Sequence, residues 1–260
     1  MEADILLAHC LKCDRSFLMA HDDDELDTLV SQTFSSLVTR RAQGEPIAYL
    51  LGKKEFWNIE LGVNQDVLIP RPETELLVEV ALEIGADKSG LSVLDLGTGS
   101  GAIALAIAKN RSNWQLQAVD ASSAALGVAR KNAVALEVDN VHFSEGSWCE
   151  GLADKSFDIV IANPPYVAPG DSHLKDGDLR FEPITALVAD ESGYADLFTI
   201  IDQAKRVLKD DGWLLLEHGF EQHATLSEKL HAAGYSEVQS HQDLAGHERM
   251  TRARWLKTDN

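Results

Sequence analysis

Cysteine is scarce in this 260-residue chain, which has only three. At least one thiol must therefore stay unpaired, which points away from an oxidising compartment and toward the cytoplasm. Long apolar runs are missing too. No stretch approaches the ~20 apolar residues that span a bilayer, so no membrane partner is expected. Met1-Glu2-Ala3-Asp4 has no basic region ahead of an apolar stretch, which argues against a signal peptide. Positive charge is the third shortage. Lys and Arg number 23 against 42 Asp and Glu, a formal net charge of −19. A protein that grips a nucleic-acid backbone needs a cationic patch to displace counterions. Any such patch here, at Lys53-Lys54 or at Arg249, Arg252 and Arg254, would sit in an opposing field, so direct nucleic-acid binding is not expected. The acidity reads first as a solubilising surface and second as a field that steers toward a basic protein. Metal ligands are also short. Cys10-x-x-Cys13 beside His9 is half a zinc site, but no second pair follows at zinc-finger spacing. A redox pair would follow a strand at a helix start, whereas Ile5 to Leu18 reads helical. No metal is expected.

What is present is ordinary in bulk: 45% hydrophobic and 25% charged residues, in a length that suits one sizeable core with a small partner. Ile5, Leu6, Ala8 and Leu11 lie on one face of a helix expected over 5–18. Leu26, Leu29, Val30, Phe34, Leu37 and Val38 do the same for a second helix from Glu25 to Arg41. Gly44-Glu45-Pro46 ends that helical stretch. From Tyr49 to Ile69 the period changes to two, which predicts a β-hairpin with a turn at Asn64-Gln65-Asp66. Pro72, with Glu73 and Glu75 behind it, is expected to open a helix.

Beyond Leu91, strand and helix alternate. Strands are expected at 91–96, 114–119, 141–144, 157–162 and 212–217, with helices at 102–109, 122–136 and 194–208 between them. This is the pattern of a doubly wound parallel sheet. After a helix at 220–233, strands at 236–240 and 250–256 are joined by a polar loop, so they must run antiparallel. Seven strands, mostly parallel with one antiparallel, fit the class I S-adenosylmethionine-dependent methyltransferase α/β fold better than a dehydrogenase. No internal repeat or low-complexity tract interrupts the chain.

Asp95-Leu96-Gly97-Thr98-Gly99-Ser100-Gly101-Ala102 follows an apolar strand and opens a helix. Glycines let the backbone turn and approach a ligand without a Cβ in the way, and the helix start offers free N–H donors. Gly97-x-Gly99-x-x-Ala102 also satisfies the dinucleotide fingerprint, so the loop alone does not choose a ligand. Asp95 favours S-adenosylmethionine, because a carboxylate at the strand end suits an ammonium and repels a pyrophosphate. Asp120 ends the next strand, where a carboxylate accepts from ribose hydroxyls. Trp148, after the third strand, is placed to flank an adenine ring. Taken singly, each of these three has a plain structural reading as a turn or core residue.

The strand at 157–162 delivers Asn163-Pro164-Pro165-Tyr166 at its carboxyl end, where open α/β sheets bind ligands. An amide or aromatic amino nitrogen is a poor nucleophile because its lone pair is delocalised. The Asn163 side-chain oxygen and the Pro164 carbonyl would accept its two N–H groups and stabilise positive charge as the methyl arrives. Consecutive prolines preset that acceptor pair, and Tyr166 offers a face for a flat group. The plain alternative is a rigid Asn-Pro turn.

These residues resemble the protein-glutamine N-methyltransferases that modify peptide chain release factors. The likeness includes Phe56-Trp57, Val67 through Glu75, Asp95 to Gly101 (with Thr98 and Ser100), Asp120, Trp148, Asn163 to Tyr166, Arg180-Phe181-Glu182-Pro183 and Glu217-His218-Gly219. It implies S-adenosylmethionine as cofactor and the glutamine of the release-factor Gly-Gly-Gln loop as substrate, bound by Asn163, Pro164, Pro165 and Tyr166. It implies a helical subdomain over 1–46 that helps dock the release factor, a hairpin linker over 47–70 and a catalytic domain over 71–260; a monomer is expected. The long segment from Val167 to Gly193 would shape the glutamine pocket. The chain begins around the family's second N-terminal helix, and Ser147 stands where relatives often carry an acid. His218 reads as structural, and Arg71 as either a substrate contact or a helix-start residue. The nearest rival is an adenine-amino methyltransferase, which uses the same loop on the same type of nitrogen. Rivals of other classes are a non-catalytic cofactor-binding scaffold and an NAD oxidoreductase, the latter lacking a hydride-handling residue.

Overall fold

A computed structural model describes residues 2–175 and 177–256. The expected single helix over 5–18 is two helices, α1 (Glu2–Leu11) and α2 (Arg15–Ala20). Lys12 takes a positive φ of 54°, and the Asp14 carboxylate caps the second helix by accepting from Phe17 N at 2.8 Å. α3 (Thr28–Ala42) starts at an Asp27 cap, three residues later than the sequence periodicity predicts. α4 (Ile47–Leu51) follows, and Leu6, Leu37 and Leu50 form the small core of this helical region.

The hairpin pairs β1 (Lys53–Phe56) with β2 (Ile59–Gly62), and its turn is Trp57-Asn58, not Asn64-Gln65-Asp66. Both turn residues have positive φ (47° and 60°), as a two-residue turn matched to strand twist requires. Phe56, Ile59 and Leu61 consequently share the buried face, which a continuous alternation through 56–63 would have split. Asn64 and Asp66 instead bond each other in the connection to Val67.

Pro72–Thr74 forms a 3-10 turn that leads into α5 (Glu75–Ile84). The rest is β3 (Ser92–Leu96), α6 (Ala102–Asn110), β4 (Gln115–Asp120), α7 (Ser123–Ala135), β5 (Val141–Glu145) and β6 (Phe157–Ala162). Then come the single turn α8 (Asp190–Gly193), α9 (Ala195–Val207), β7 (Leu208–Glu217), α10 (His223–Ala232), β8 (Ser236–Gln242) and β9 (Glu248–Trp255). The seven strands lie in the order β5-β4-β3-β6-β7-β9-β8. β9 alone runs against the other six strands, and it sits between β7 and β8, not at the edge.

Period-two alternation sends side chains to both faces of the sheet. Val93, Ile159, Ile161 and Leu215 pack under α5 and α6, while Leu94, Leu96, Val160, Ala162, Leu214 and Leu216 pack under α9 and α10. Burial on both faces explains why these strands read as continuous apolar runs. The order reverses between β3 and β6, and both the glycine loop and the Asn163 loop leave the sheet beside that switch point, where a crevice forms.

Candidate active site

A cavity of about 640 Å³ opens at the carboxyl ends of β3, β4 and β6. Gly97, Thr98, Gly99, Ser100, Asp120, Trp148, Asn163 and Pro165 line it, so most of the motif residues converge. Gly97, Gly99 and Gly101 have φ of 70°, 56° and 84°. A Cβ at Gly97 would meet the Trp148 ring at an ordinary 3.4 Å, so the positive φ, and not lack of space, is what favours glycine there. The Asp120 carboxylate accepts from Gly99 N and from Ser122 N, both at 2.8 Å. It ties the loop to the end of β4 and keeps further lone pairs for hydroxyls in the cavity. This cradle fits the nucleoside and amino-acid parts of S-adenosylmethionine.

Asp95 is elsewhere. It is 1% exposed and does not line the cavity, which leaves the water-mediated form of its expected contact with a ligand ammonium. Its Oδ2 accepts from Thr98 Oγ1 at 2.6 Å and from Ala104 N at 3.3 Å, so the carboxyl holds the loop from behind. Burial raises its pKa to about 7, against the opposing effect of those hydrogen bonds. Oδ1 has no hydrogen-bond partner among the described residues, a buried acceptor available for a water bridge into the site.

In the Asn163 loop the cavity wall is made by Asn163 and Pro165, while Pro164 is buried beside them and Tyr166 is half-buried. Asn163 Nδ2 donates to Thr74 Oγ1 at 3.1 Å. Its Oδ1 has no hydrogen-bond partner among the described residues, the state expected of an acceptor kept for a ligand. The Tyr166 hydroxyl donates to Glu217 Oε1 at 3.3 Å. Gln222 Nε2 donates to the Tyr166 and Gly193 carbonyls, each at 3.2 Å, and fixes the loop's far end. Glu217 is 2% exposed, and burial raises its pKa to about 7 while the Thr74 and Tyr166 hydroxyls favour its charged form.

Of the further wall residues, Asp196 falls in no sequence motif. Thr74 and Asp196 line the cavity, and the Trp148 side chain favours the charged form of Asp196. Burial is the larger influence on Asp196 and raises its pKa. Glu182 is buried, accepts from Ile69 N at 2.9 Å and pairs with Arg71, fastening the linker over the site. Arg71 lines the cavity and pairs with Glu182. His218 is structural, with both ring nitrogens engaged by Gly219 O and Thr251 Oγ1 at 2.9 Å. From the long 167–193 segment, Pro183, Thr185 and Ala186 reach the wall. Lys53, Arg249 and Arg254 are paired with Glu60, Asp243 and Glu237, so these candidate basic positions carry local counter-charges.

Residues 87–255 match the family described as a methyltransferase domain, and residues 1–52 match the PrmC N-terminal domain. The release factor glutamine methyltransferase of Xylella fastidiosa (strain Temecula1) is 46% identical over 251 residues, covering 96% of this chain and 91% of that protein. That of Escherichia coli K12 is 43% identical over 256 residues, covering 98% and 92%. The chain belongs to the release factor glutamine methyltransferase family. It is thus an S-adenosylmethionine-dependent enzyme, which settles the ligand that the glycine fingerprint left open. Solved structures agree on the fold. A Pyrococcus furiosus methyltransferase aligns with a TM-score of 0.59 at 18% identity, over 86% of this chain and all of that one. The hMettl16 catalytic domain aligns with a TM-score of 0.60 at 19% identity, over 77% and 76%.

Proposed function

We propose that this enzyme methylates the side-chain amide nitrogen of the glutamine in the Gly-Gly-Gln loop of release factors. One observation carries the reading of the site: Asn163 lines the cavity with one amide hydrogen given to Thr74 Oγ1 and its oxygen without a partner among the described residues. S-adenosylmethionine, when bound, supplies a methyl already activated by its sulfonium. The Asn163 oxygen and the Pro164 carbonyl accept the two hydrogens of the substrate NH₂ and hold the nitrogen in line. As the N–C bond forms and the S–C bond breaks, these acceptors stabilise the charge growing on nitrogen. The nitrogen then loses a proton to water, giving a secondary amide and S-adenosylhomocysteine. No metal and no covalent intermediate is needed.

Gly97, Thr98, Gly99, Ser100 and Gly101 form the cofactor cradle, with Asp120 on the ribose, Trp148 against the adenine and Asn163 at the methyl. Asp95 supports them from behind. Pro165 and Tyr166 flank the substrate amide. Residues 1–46 help to dock the release factor, 47–70 link, and 71–260 catalyse. One chain supplies the whole described wall, which supports a monomer. Three free cysteines, and no described helix long and apolar enough to cross a membrane, support a cytoplasmic setting. The test is to incubate the enzyme with purified release factor and labelled cofactor and to map the methyl by mass spectrometry. One methyl on the Gly-Gly-Gln peptide is expected; methyl on nucleic-acid adenine and none on that peptide would overturn the assignment.

A further inference from the structure

Gln222 stands at the N-cap of α10, where a short polar side chain ordinarily caps the helix, yet its own side chain caps nothing. It turns back toward the catalytic loop instead. Oε1 accepts from Gly219 N at 2.9 Å, and Nε2 donates to Tyr166 O and to Gly193 O, each at 3.2 Å. The Gly219 N–H can only donate and the two carbonyls can only accept. One orientation of the amide therefore satisfies all three partners, and the flipped one satisfies none. Gln222 is 8% exposed, so water is a poor substitute for these bonds.

The two carbonyls are the two ends of one excursion. The chain departs after Tyr166 and returns at Gly193, just ahead of α9, and between them Pro183, Thr185 and Ala186 form part of the cavity wall. Gly193 has a φ of 89°, and a Cβ there would stand 2.2 Å from Tyr166 O and 3.0 Å from Gln222 Nε2. Glycine is what lets the two ends approach. Just inside this contact, Val167 N donates to Leu187 O at 2.9 Å and Ala189 N donates to Val167 O at 3.0 Å. The exit of the catalytic loop is thus tied to the end of the wall. Ordering so long a segment costs conformational entropy, which bonds at its base offset.

We propose that Gln222 is a positioning residue that staples the two ends of the 167–192 excursion and so holds Tyr166 and the 183–186 wall in register around the substrate amide. The inference rests on the substrate-flanking role given to Tyr166 under Proposed function. Gln222, Gly193 and Gly219 do not line the cavity, and none needs to touch substrate or cofactor to act in this way.

The experiment compares wild type, Gln222→Met and Gln222→Glu on purified release factor at saturating S-adenosylmethionine. S-adenosylhomocysteine affinity is read by calorimetry, and backbone hydrogen exchange by mass spectrometry. Methionine keeps the length of the side chain and removes all three bonds, whereas glutamate keeps its shape and removes the amide donors. Each variant should lower kcat about 10- to 100-fold, the scale of a reacting group held about 1 Å out of place. KM for the release factor and the calorimetric affinity should stay within about two-fold, because docking and the cofactor cradle are made elsewhere. In both variants exchange should quicken about ten-fold over 166–169 and 187–193, and keep its wild-type rate over α6. In a Tyr166→Ala background, Gln222→Met should cost less than about three-fold in kcat, since the ring it positions is gone. Wild-type kcat in either single variant would overturn the proposal. So would a loss confined to KM or to cofactor affinity, unchanged exchange over those two stretches, or the full Gln222→Met defect persisting beside Tyr166→Ala. The two readings fail separately: a release factor left unmethylated by wild type sinks the substrate assignment, whereas exchange judges the staple without turnover. If the methionine variant does not fold, the glutamate variant carries the same kinetic and exchange tests.

Discussion

Asn132 on α7 is a sharp place to perturb the protein, because one buried side chain joins three parts of the structure. It is 4% exposed. Its Oδ1 accepts from Gly62 N at 2.7 Å, and its Nδ2 donates to Gly62 O at 3.0 Å and to Ser100 O at 2.8 Å. The hairpin linker is thereby clamped to the glycine loop. Asn132→Ala removes all three bonds. The Gly62 groups are partly accessible and recover some hydration, so each costs about 0.5–1 kcal/mol. Ser100 is 2% exposed, and its carbonyl is left without a partner, at about 1–3 kcal/mol. The sum is about 3 kcal/mol, or roughly 6–12 °C in Tm for a chain of this size. Urea unfolding reads the stability term. Calorimetry with S-adenosylhomocysteine reads the second consequence, a weaker cofactor site, because Ser100 belongs to the loop that lines it. Asn132→Asp should be worse than alanine, since an acceptor-only side chain would face two carbonyls. A loss below about 1 kcal/mol with unchanged affinity would refute the clamp, because three buried hydrogen bonds cannot vanish so cheaply.

Asp120→Ala should weaken S-adenosylhomocysteine binding about 10- to 100-fold in calorimetry, since it deletes a charged acceptor from the cavity and frees Gly99 N. Glu182→Gln should cost about 2 kcal/mol in urea unfolding, less than a fully buried pair because Arg71 keeps 31% exposure, and should raise KM for the release factor as the linker loosens. The cofactor-free protein should also show a pH signature. Asp95 and Glu217 have native pKa values raised to about 7, so between their ordinary carboxylate pKa and about pH 7 the native state holds protons that the unfolded state has released. Their contribution to stability is complete below the unfolded pKa and is lost as pH rises through 7. Asp95→Asn should therefore gain Tm relative to wild type as pH rises from about 5 to 8 in differential scanning calorimetry; a Tm difference flat across that range would contradict the buried-acid account.

The parts of the site that were legible in sequence are those whose chemistry is local. Gly97 to Gly101 and Asn163 to Tyr166 each carry their constraint within a few residues, as positive φ or as proline-fixed backbone, and each follows a strand long enough to be recognised. The doubly wound order was legible for the same reason, since burial on both faces leaves unbroken apolar runs such as Phe157–Ala162. Contacts made across the chain were not. Thr74 meets Asn163 over 89 residues and Glu182 meets Ile69 over 113, and nothing beside Thr74 or Glu182 announces the partner. Asp95 shows the converse limit. Its place at a strand end is correct, but only the fold reveals that Thr98 and Ala104 have taken its carboxylate behind the wall. The hairpin turn is not legible in sequence because Trp57 occupies a positive-φ position that favours Gly, Asn or Asp. The apolar pattern over 5–18 runs through the break between α1 and α2 because Asp14 acts as a cap only once Lys12 has broken the helix.

The central claim is that Asn163 supplies an uncommitted acceptor to a substrate amide nitrogen. Single-turnover methylation of purified release factor by wild type and by Asn163→Ala, at saturating S-adenosylmethionine, tests it most directly. The variant should transfer methyl about 100- to 1,000-fold more slowly while its fold and its S-adenosylhomocysteine binding persist, the scale of losing one preorganised polar group. Transfer by Asn163→Ala at the wild-type rate would contradict the account.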